Sequence, residues 1–179
     1  MTVVLVHGNP ETDAIWAPLR AELGRGDVVA LSPPGFGAPV PAGFGATMTD
    51  YRDWLIDQLV AIGEPVDLVG HDWGGGHVVN VAMARPDLLR SWASDVLGCY
   101  APDYVWDDLA QVWQTPGDGE KLVETMMGGT VEDRAERMRE FGIPHDVAVE
   151  LAAHQGPEMG RCILALYRSA AQPVLAQAG

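Results

Sequence analysis

Val66-Asp67-Leu68-Val69-Gly70-His71-Asp72-Trp73-Gly74-Gly75-Gly76-His77 is the stretch that decides how this chain folds. A short apolar run ends in Gly-x-Asp-x-Gly, and helix-like spacing follows from His77 to Arg85. The pattern predicts a strand, a sharp turn and a helix, with the Asp72 carboxylate at the apex. Positions two before and two after the apex need glycine, because a side chain there collides where the two backbones approach. The apex residue is expected at strained dihedrals, a cost of about 1–3 kcal/mol that a purely structural turn has no reason to carry. A phosphate-binding loop is the competing reading of such a glycine-rich turn. The dinucleotide pattern G-x-G-x-x-G is absent, however, and an aspartate at the apex repels phosphate.

On the N-terminal side, residues 3–6 read as a buried parallel strand, short and β-branched. His7-Gly8-Asn9-Pro10-Glu11 makes a turn, and an amphipathic helix is expected from Asp13 to Leu23. Asp27 to Leu31 is a second strand, followed by a long Gly/Pro-rich loop from Ser32. The next helix spans Thr49 to Ile62, with Tyr51, Trp54, Leu55, Leu59 and Ile62 on one stripe. Val66 to Val69 is the third strand, the helix after the turn ends before Pro86, and Ser91 to Leu97 reads as a fourth strand. Strands alternating with helices predict an α/β fold with a doubly wound parallel sheet. From Cys99 onward strand signals vanish, and helices are expected over 103–113, 118–127, 130–140, 145–154 and 158–171. There is no internal repeat and no low-complexity stretch.

A chain of 179 residues with 47% hydrophobic and 20% charged content can bury a real core and is not disordered. The net charge of −14 disfavours nucleic acid and anionic membrane as partners. No apolar run approaches the roughly 20 residues a membrane helix needs. Met1 leads straight into Val3-Val4-Leu5-Val6 without the basic segment of a signal peptide. Cys99 and Cys162 lie far apart without metal-site spacing, so two free thiols in a reducing cytoplasm are expected.

His7-Gly8-Asn9-Pro10-Glu11 and Gly70-His71-Asp72-Trp73-Gly74-Gly75, with a weaker signal in Leu166-Tyr167-Arg168, resemble motifs of one family. The apex motif is similar to the nucleophile elbow, usually G-x-S-x-G, with Asp72 in place of serine. The chain therefore resembles the α/β-hydrolase superfamily, and within it the aspartate-nucleophile branch of epoxide hydrolases and haloalkane dehalogenases. The resemblance implies a core over 1–98, a helical cap over 99–171 and a tail over 172–179. It implies a hydrolase without cofactor or metal, acting on a small apolar electrophile. A carboxylate attacking an acyl carbon would give an anhydride, whereas attack on a saturated carbon gives an ordinary ester that water then hydrolyses. Backbone N–H groups of Trp73 and of the Gly8–Asn9 turn are the expected oxyanion donors. For a halide, the Asn9 amide and the Trp73 indole are the donors the resemblance implies. For an epoxide, the donors are cap tyrosines: Tyr167 late, and Tyr100 or Tyr104 early. Pro10-Glu11 and Tyr167-Arg168 lean towards epoxides, and Asn9 towards halides.

Plainer readings stand beside these. Asn9 is a turn residue, Tyr167 a packed aromatic, and Trp106 and Trp113, seven apart on one helix, are more often core than substrate lining. Glu11 and Asp13 favour a helix N-terminus electrostatically. Ester hydrolysis needs a general base, which the family places after its last strand, beyond this chain. His7 belongs to the oxyanion turn, His71 is expected buried within the elbow, His77 in the core, and His145 and His154 in the cap. The acid partner lies either after a missing strand or at Asp95, near the end of the fourth strand. The family fold is thus only partly covered, and Trp92, Ala93, Val96 and Leu97 form an apolar edge. The chain is expected to be a fragment of a longer enzyme, or to be completed by a copy of itself or another chain. A non-catalytic ligand-binding module and a serine-type esterase relative are the competing classes.

Overall fold

The computed structural model describes residues 1–178. β1 (Val3–Val6), β2 (Val28–Leu31), β3 (Val66–Gly70) and β4 (Leu89–Ser94) form one parallel sheet in the order β2-β1-β3-β4. Val6 pairs with Gly70 and Gly70 with Ser94, so the loops after β1, β3 and β4 emerge at one end of the sheet. α1 (Ala17–Leu23), α2 (Met48–Ile62) and α3 (Trp73–Ala84) connect the strands. Val4, Val6, Leu55, Leu59, Leu68, Val78 and Val81 bury the contact of the sheet with α2 and α3.

The expected helix over 13–23 is split. Thr12 caps a 3-10 turn, Asp13–Trp16, and the α-helix begins only at Ala17 with Pro18 in its first turn, where proline's missing N–H costs nothing. Its expected apolar face is not buried, since Leu19 and Leu23 are exposed. α3 begins at Trp73 rather than His77, because the apex turns directly into the helix and the glycines form its first turn. β4 lies about two residues earlier than expected. Among the described residues β3 is its only strand neighbour, and Trp92 and Leu97, exposed by 45% and 54%, lie on and just past it.

The rest is helical: α4 (Asp108–Gln114), α5 (Asp118–Met127), α6 (Val131–Glu140), α7 (His145–His154), α8 (Pro157–Ser169) and α9 (Val174–Ala178). The first helix starts at 108 and not 103, because Asp107 is its N-cap and accepts the Ala110 N–H at 3.0 Å. Trp106 therefore stands outside the helix that carries Trp113. α8 ends two residues earlier than expected, and the segment taken as a tail forms α9, whose Leu175 is buried. α4, α5 and α8 share one core with Phe36, Met48, Tyr51 and Trp73. α6 and α7 pack on each other through Ala135, Ala148 and Ala152. No helix among the described residues is long and apolar enough to cross a membrane.

Two substitutions test this packing. A Cβ on Gly74 would fall on the Val6 carbonyl and within 2.6 Å of the His7 carbonyl. Gly74→Ala is expected to cost about 2–3 kcal/mol, read from urea denaturation. Gly76→Ala, whose Cβ meets nothing closer than 3.5 Å, serves as the tolerated control. Trp92→Lys on the β4 edge is expected to reduce self-association in light scattering while leaving circular dichroism unchanged.

Candidate active site

Asp72 sits at φ 51°, ψ −128°, the N-cap of α3, in a region L-residues rarely occupy. The strain is held by the close approach that the flanking glycines permit. A Cβ on Gly70 would overlap the Gly74 carbonyl, and one on Gly8 would land on the Asp72 carboxylate. The expected glycine requirement at both flanking positions is thus explained by contact with backbone, which cannot move aside.

The Asn9 N–H donates to Asp72 Oδ2 at 2.9 Å. Burial raises the Asp72 pKa, against the lowering effect of the Asn9 and Trp73 backbone N–H groups that face the carboxylate. These are the two backbone donors the sequence nominates for the oxyanion. Asp72 and Trp73 line a cavity of ≈130 Å³ with Tyr100, Tyr104, Trp106 and Tyr167. Larger depressions elsewhere on the surface contain none of these groups.

The cavity wall is aromatic. Trp73 stacks on Trp106 at 5.8 Å and meets Tyr167 edge-on at 5.3 Å. Tyr167 also contacts Trp113 at 4.6 Å, so it is both a packed aromatic and a wall of the cavity. Its hydroxyl pKa is raised by burial and by the Asp72 charge, while the Trp73 and Asn9 side chains act to lower it. Tyr100 lines the cavity, but its hydroxyl donates to the Gly76 carbonyl at 2.7 Å and is committed there. Tyr104 packs edge-on to Trp106 at 5.3 Å. Both polar atoms of the Asn9 amide, and the Trp106 indole nitrogen, are buried without a hydrogen-bond partner among the described residues. Orphaned groups of this kind cost stability and are found where a ligand or water satisfies them.

Asp95, just past β4, accepts the Asp72 N–H through Oδ1 at 3.0 Å. Its other oxygen lies 2.5 Å from His71 Nδ1. Asp95 is thus brought to the apex, as one of its two sequence readings has it. His71 is not buried within the elbow: its side chain is 46% exposed, because the apex turns it away from the sheet towards Glu11 and the edge of Trp16. Burial acts to lower the His71 pKa, but the Asp95 hydrogen bond and the charges of Glu11, Asp95 and Asp72 outweigh it and raise the value. Glu11 does more than favour a helix end. Its Oε2 accepts the Gly8 N–H at 3.3 Å and its Oε1 is 3.7 Å from His71 Nε2. Burial raises its pKa most, with Asp72 adding to the effect and His71 opposing it.

The remaining histidines lie elsewhere. His7 is buried with Nδ1 at 2.7 Å from the Gly8 carbonyl, and burial lowers its pKa to about 4. His77 is buried in the core, stacked on Tyr51, with its pKa lowered by burial to about 3. His145 and His154 are on α7. Both cysteines are buried and unbonded.

Comparison with known proteins agrees with this geometry. The model of the alpha/beta hydrolase family matches residues 3–176. The chain is 33% identical over 96 residues to an epoxide hydrolase of Caballeronia sordidicola, covering 50% of this chain and 29% of the relative. It is 31% identical over 137 residues to a haloalkane dehalogenase of Mesorhizobium japonicum, covering 68% of this chain and 42% of the relative. In fold it is similar to the crystal structure of a haloalkane dehalogenase loop variant from Bradyrhizobium elkanii, with a TM-score of 0.72 and 21% identity. That match covers 99% of this chain and 65% of the solved one. The chain spans less than half the length of the two curated relatives and about two thirds of the solved structure. With the elbow, the strand order and the family match in agreement, the chain belongs to the alpha/beta hydrolase family.

Proposed function

We propose that this chain carries the nucleophile of an epoxide hydrolase-like enzyme that works through an alkyl ester on Asp72. One observation carries the reading: a strained, partly buried carboxylate borders an aromatic cavity with one oxygen held by the Asn9 N–H. That geometry suits attack by the other oxygen on a saturated carbon, opening the ring. The oxygen on Asn9 then becomes the oxyanion when water attacks the ester carbonyl, with the Trp73 N–H as second donor; such a donor is worth about 3–4 kcal/mol. The raised pKa of Tyr167 keeps the phenol protonated beside Asp72, as a donor to the epoxide oxygen requires. Residues 99–171 act as the cap and supply that phenol and the aromatic wall. The cavity volume favours substrates of a few carbon atoms, below the size of ordinary ligand pockets.

A haloalkane dehalogenase-like reaction is the second reading, and the Asn9 amide supports it. Its Nδ2 is buried without a geometric hydrogen-bond partner among the described residues, and it belongs to the residue whose N–H holds Asp72, which suits a leaving halide. One relative is named an epoxide hydrolase and another a haloalkane dehalogenase, so experiment decides the leaving group.

Intact-mass measurement after mixing with propylene oxide or bromopropane separates the alternatives. Formation of a covalent adduct is expected, and Asp72→Asn is expected to abolish it. A binding module without chemistry shows no added mass with either reagent. Tyr167→Phe is expected to slow adduct formation from the epoxide by roughly 100-fold while sparing the halide. Asn9→Ala is expected to do the reverse, slowing the halide reaction by roughly 100-fold.

A further inference from the structure

The cavity beside Asp72 holds a second carboxylate that ring opening does not use. Asp107 lines it together with Tyr104 and Trp106, from one short stretch of the chain. Trp73 and Tyr167 are buried at the Asp72 end, whereas Tyr104 and Trp106 are half-buried and Asp107 is exposed. The cavity thus runs from the Asp72 end to a mouth where two aromatic rings flank an acid.

Asp107 is also the N-cap of α4, with Oδ1 accepting the Ala110 N–H at 3.0 Å. A cap does not require charge, since asparagine and serine cap as well. No Lys or Arg ion pair among the described residues includes Asp107. Nor does any described Lys, Arg or His line this cavity. The charge is felt inside: burial raises the hydroxyl pKa of Tyr104 and of Tyr167 most, and Asp107 adds to both. A carboxylate beside aromatic rings suits an organic cation. Ring faces attract a cation within about 6 Å, and quaternary ammonium groups are the ligands such settings recognise.

We infer that the mouth formed by Tyr104, Trp106 and Asp107 selects substrates carrying a small alkylammonium group, held there while their electrophilic carbon faces Asp72. The reaction rests on the alkyl-ester reading above; the binding of the cation rests on the cavity alone. The ammonium takes no part in the bond changes. An Asp72 oxygen bonds to the ring carbon, the C–O bond breaks, and the ring oxygen takes the Tyr167 proton. Asp72 loses its charge on forming the ester, so Asp107 is the carboxylate that keeps the cation bound after that step. An anionic substituent meets two carboxylates and is rejected. A neutral alkyl group of the same shape is accepted without the electrostatic gain.

The test compares glycidyltrimethylammonium, the isostere with tert-butyl in place of trimethylammonium, and the analogue with a carboxylate there. Adduct growth on the full chain is followed by intact mass at limiting epoxide. The expected order of rates is cation, neutral, anion, with the cation about 10-fold over the neutral at low salt. That preference is expected to shrink as salt rises to about 0.5 M, where screening is strong. In Asp107→Asn, which keeps the cap, the ratio of cation to neutral is expected to fall roughly threefold or more. The fall is expected in the concentration needed for half-maximal rate. Asp57→Asn, the same charge change on α2 outside the lining, is expected to leave the ratio alone. A diffuse negative field would not separate these two variants. Equal rates for cation and neutral, or a ratio that Asp107→Asn leaves unchanged, overturns the cation site while the ester on Asp72 stands. Tryptophan fluorescence titrated with choline and its neutral tert-butyl isostere gives a readout free of chemistry. Choline is expected to bind about 10-fold more tightly, and to lose that margin in Asp107→Asn. If no epoxide adds mass, the Asp72 reading fails and the titration alone decides: tighter choline upholds the mouth, and equal binding overturns it.

Discussion

The Asn9 N–H to Asp72 Oδ2 hydrogen bond joins two turns 63 residues apart, and the site is built around it. It forms because β1 and β3 are neighbours in register, with Val6 opposite Gly70, so both turns leave the sheet at the same level. The strand order β2-β1-β3-β4 reverses direction between β1 and β3, the place where open parallel sheets leave a crevice beyond their carboxyl ends. Gly8 keeps the approach open, since a Cβ there would occupy the space of the carboxylate. Sheet topology, turn composition and the geometry of the proposed nucleophile thus meet in one contact.

Electrostatics adds a second layer. Three carboxylates, Glu11, Asp72 and Asp95, surround one imidazole at the sheet's carboxyl end. Burial raises the pKa of Asp72 and of Glu11, while backbone N–H groups act to keep them ionised. His71 supplies the only titratable positive charge in direct reach of Glu11 and Asp95 among the described contacts. The arrangement balances charge across the turn instead of isolating one ionised group, whose burial alone would be costly.

Much of this was legible in the sequence. The four strands, α2 and the glycine positions of the apex follow from local spacing and from sterics that act over a few residues. Asn9 and Trp73 follow from the same turns. The contacts of Glu11 and His71 do not, because they arise where the loops after β1, β3 and β4 converge, and nothing near Glu11 in sequence announces His71 or Asp95. His71, expected within the elbow, is instead half-exposed, because the apex dihedrals turn it outward between Glu11 and Asp95. α4 starts later than the sequence predicts although Asp107 is an ordinary cap signal; Trp106 and Trp113, seven residues apart, mimic helical spacing across it. The early start of α3 was hidden by glycines, which are poor helix formers and stand there for close approach.

The core that joins the two halves has a consequence for cooperativity. Trp73 follows Asp72 directly, yet its ring packs on Trp106 and Tyr167, and Tyr51 of α2 belongs to the same cluster as Leu164 and Leu166 of α8. The helical half therefore cannot detach as a lid without exposing the indole next to the Asp72 carboxylate. Melting one half removes the packing of the other, so the two are expected to unfold in one transition and the pocket to vanish with the first loss of structure.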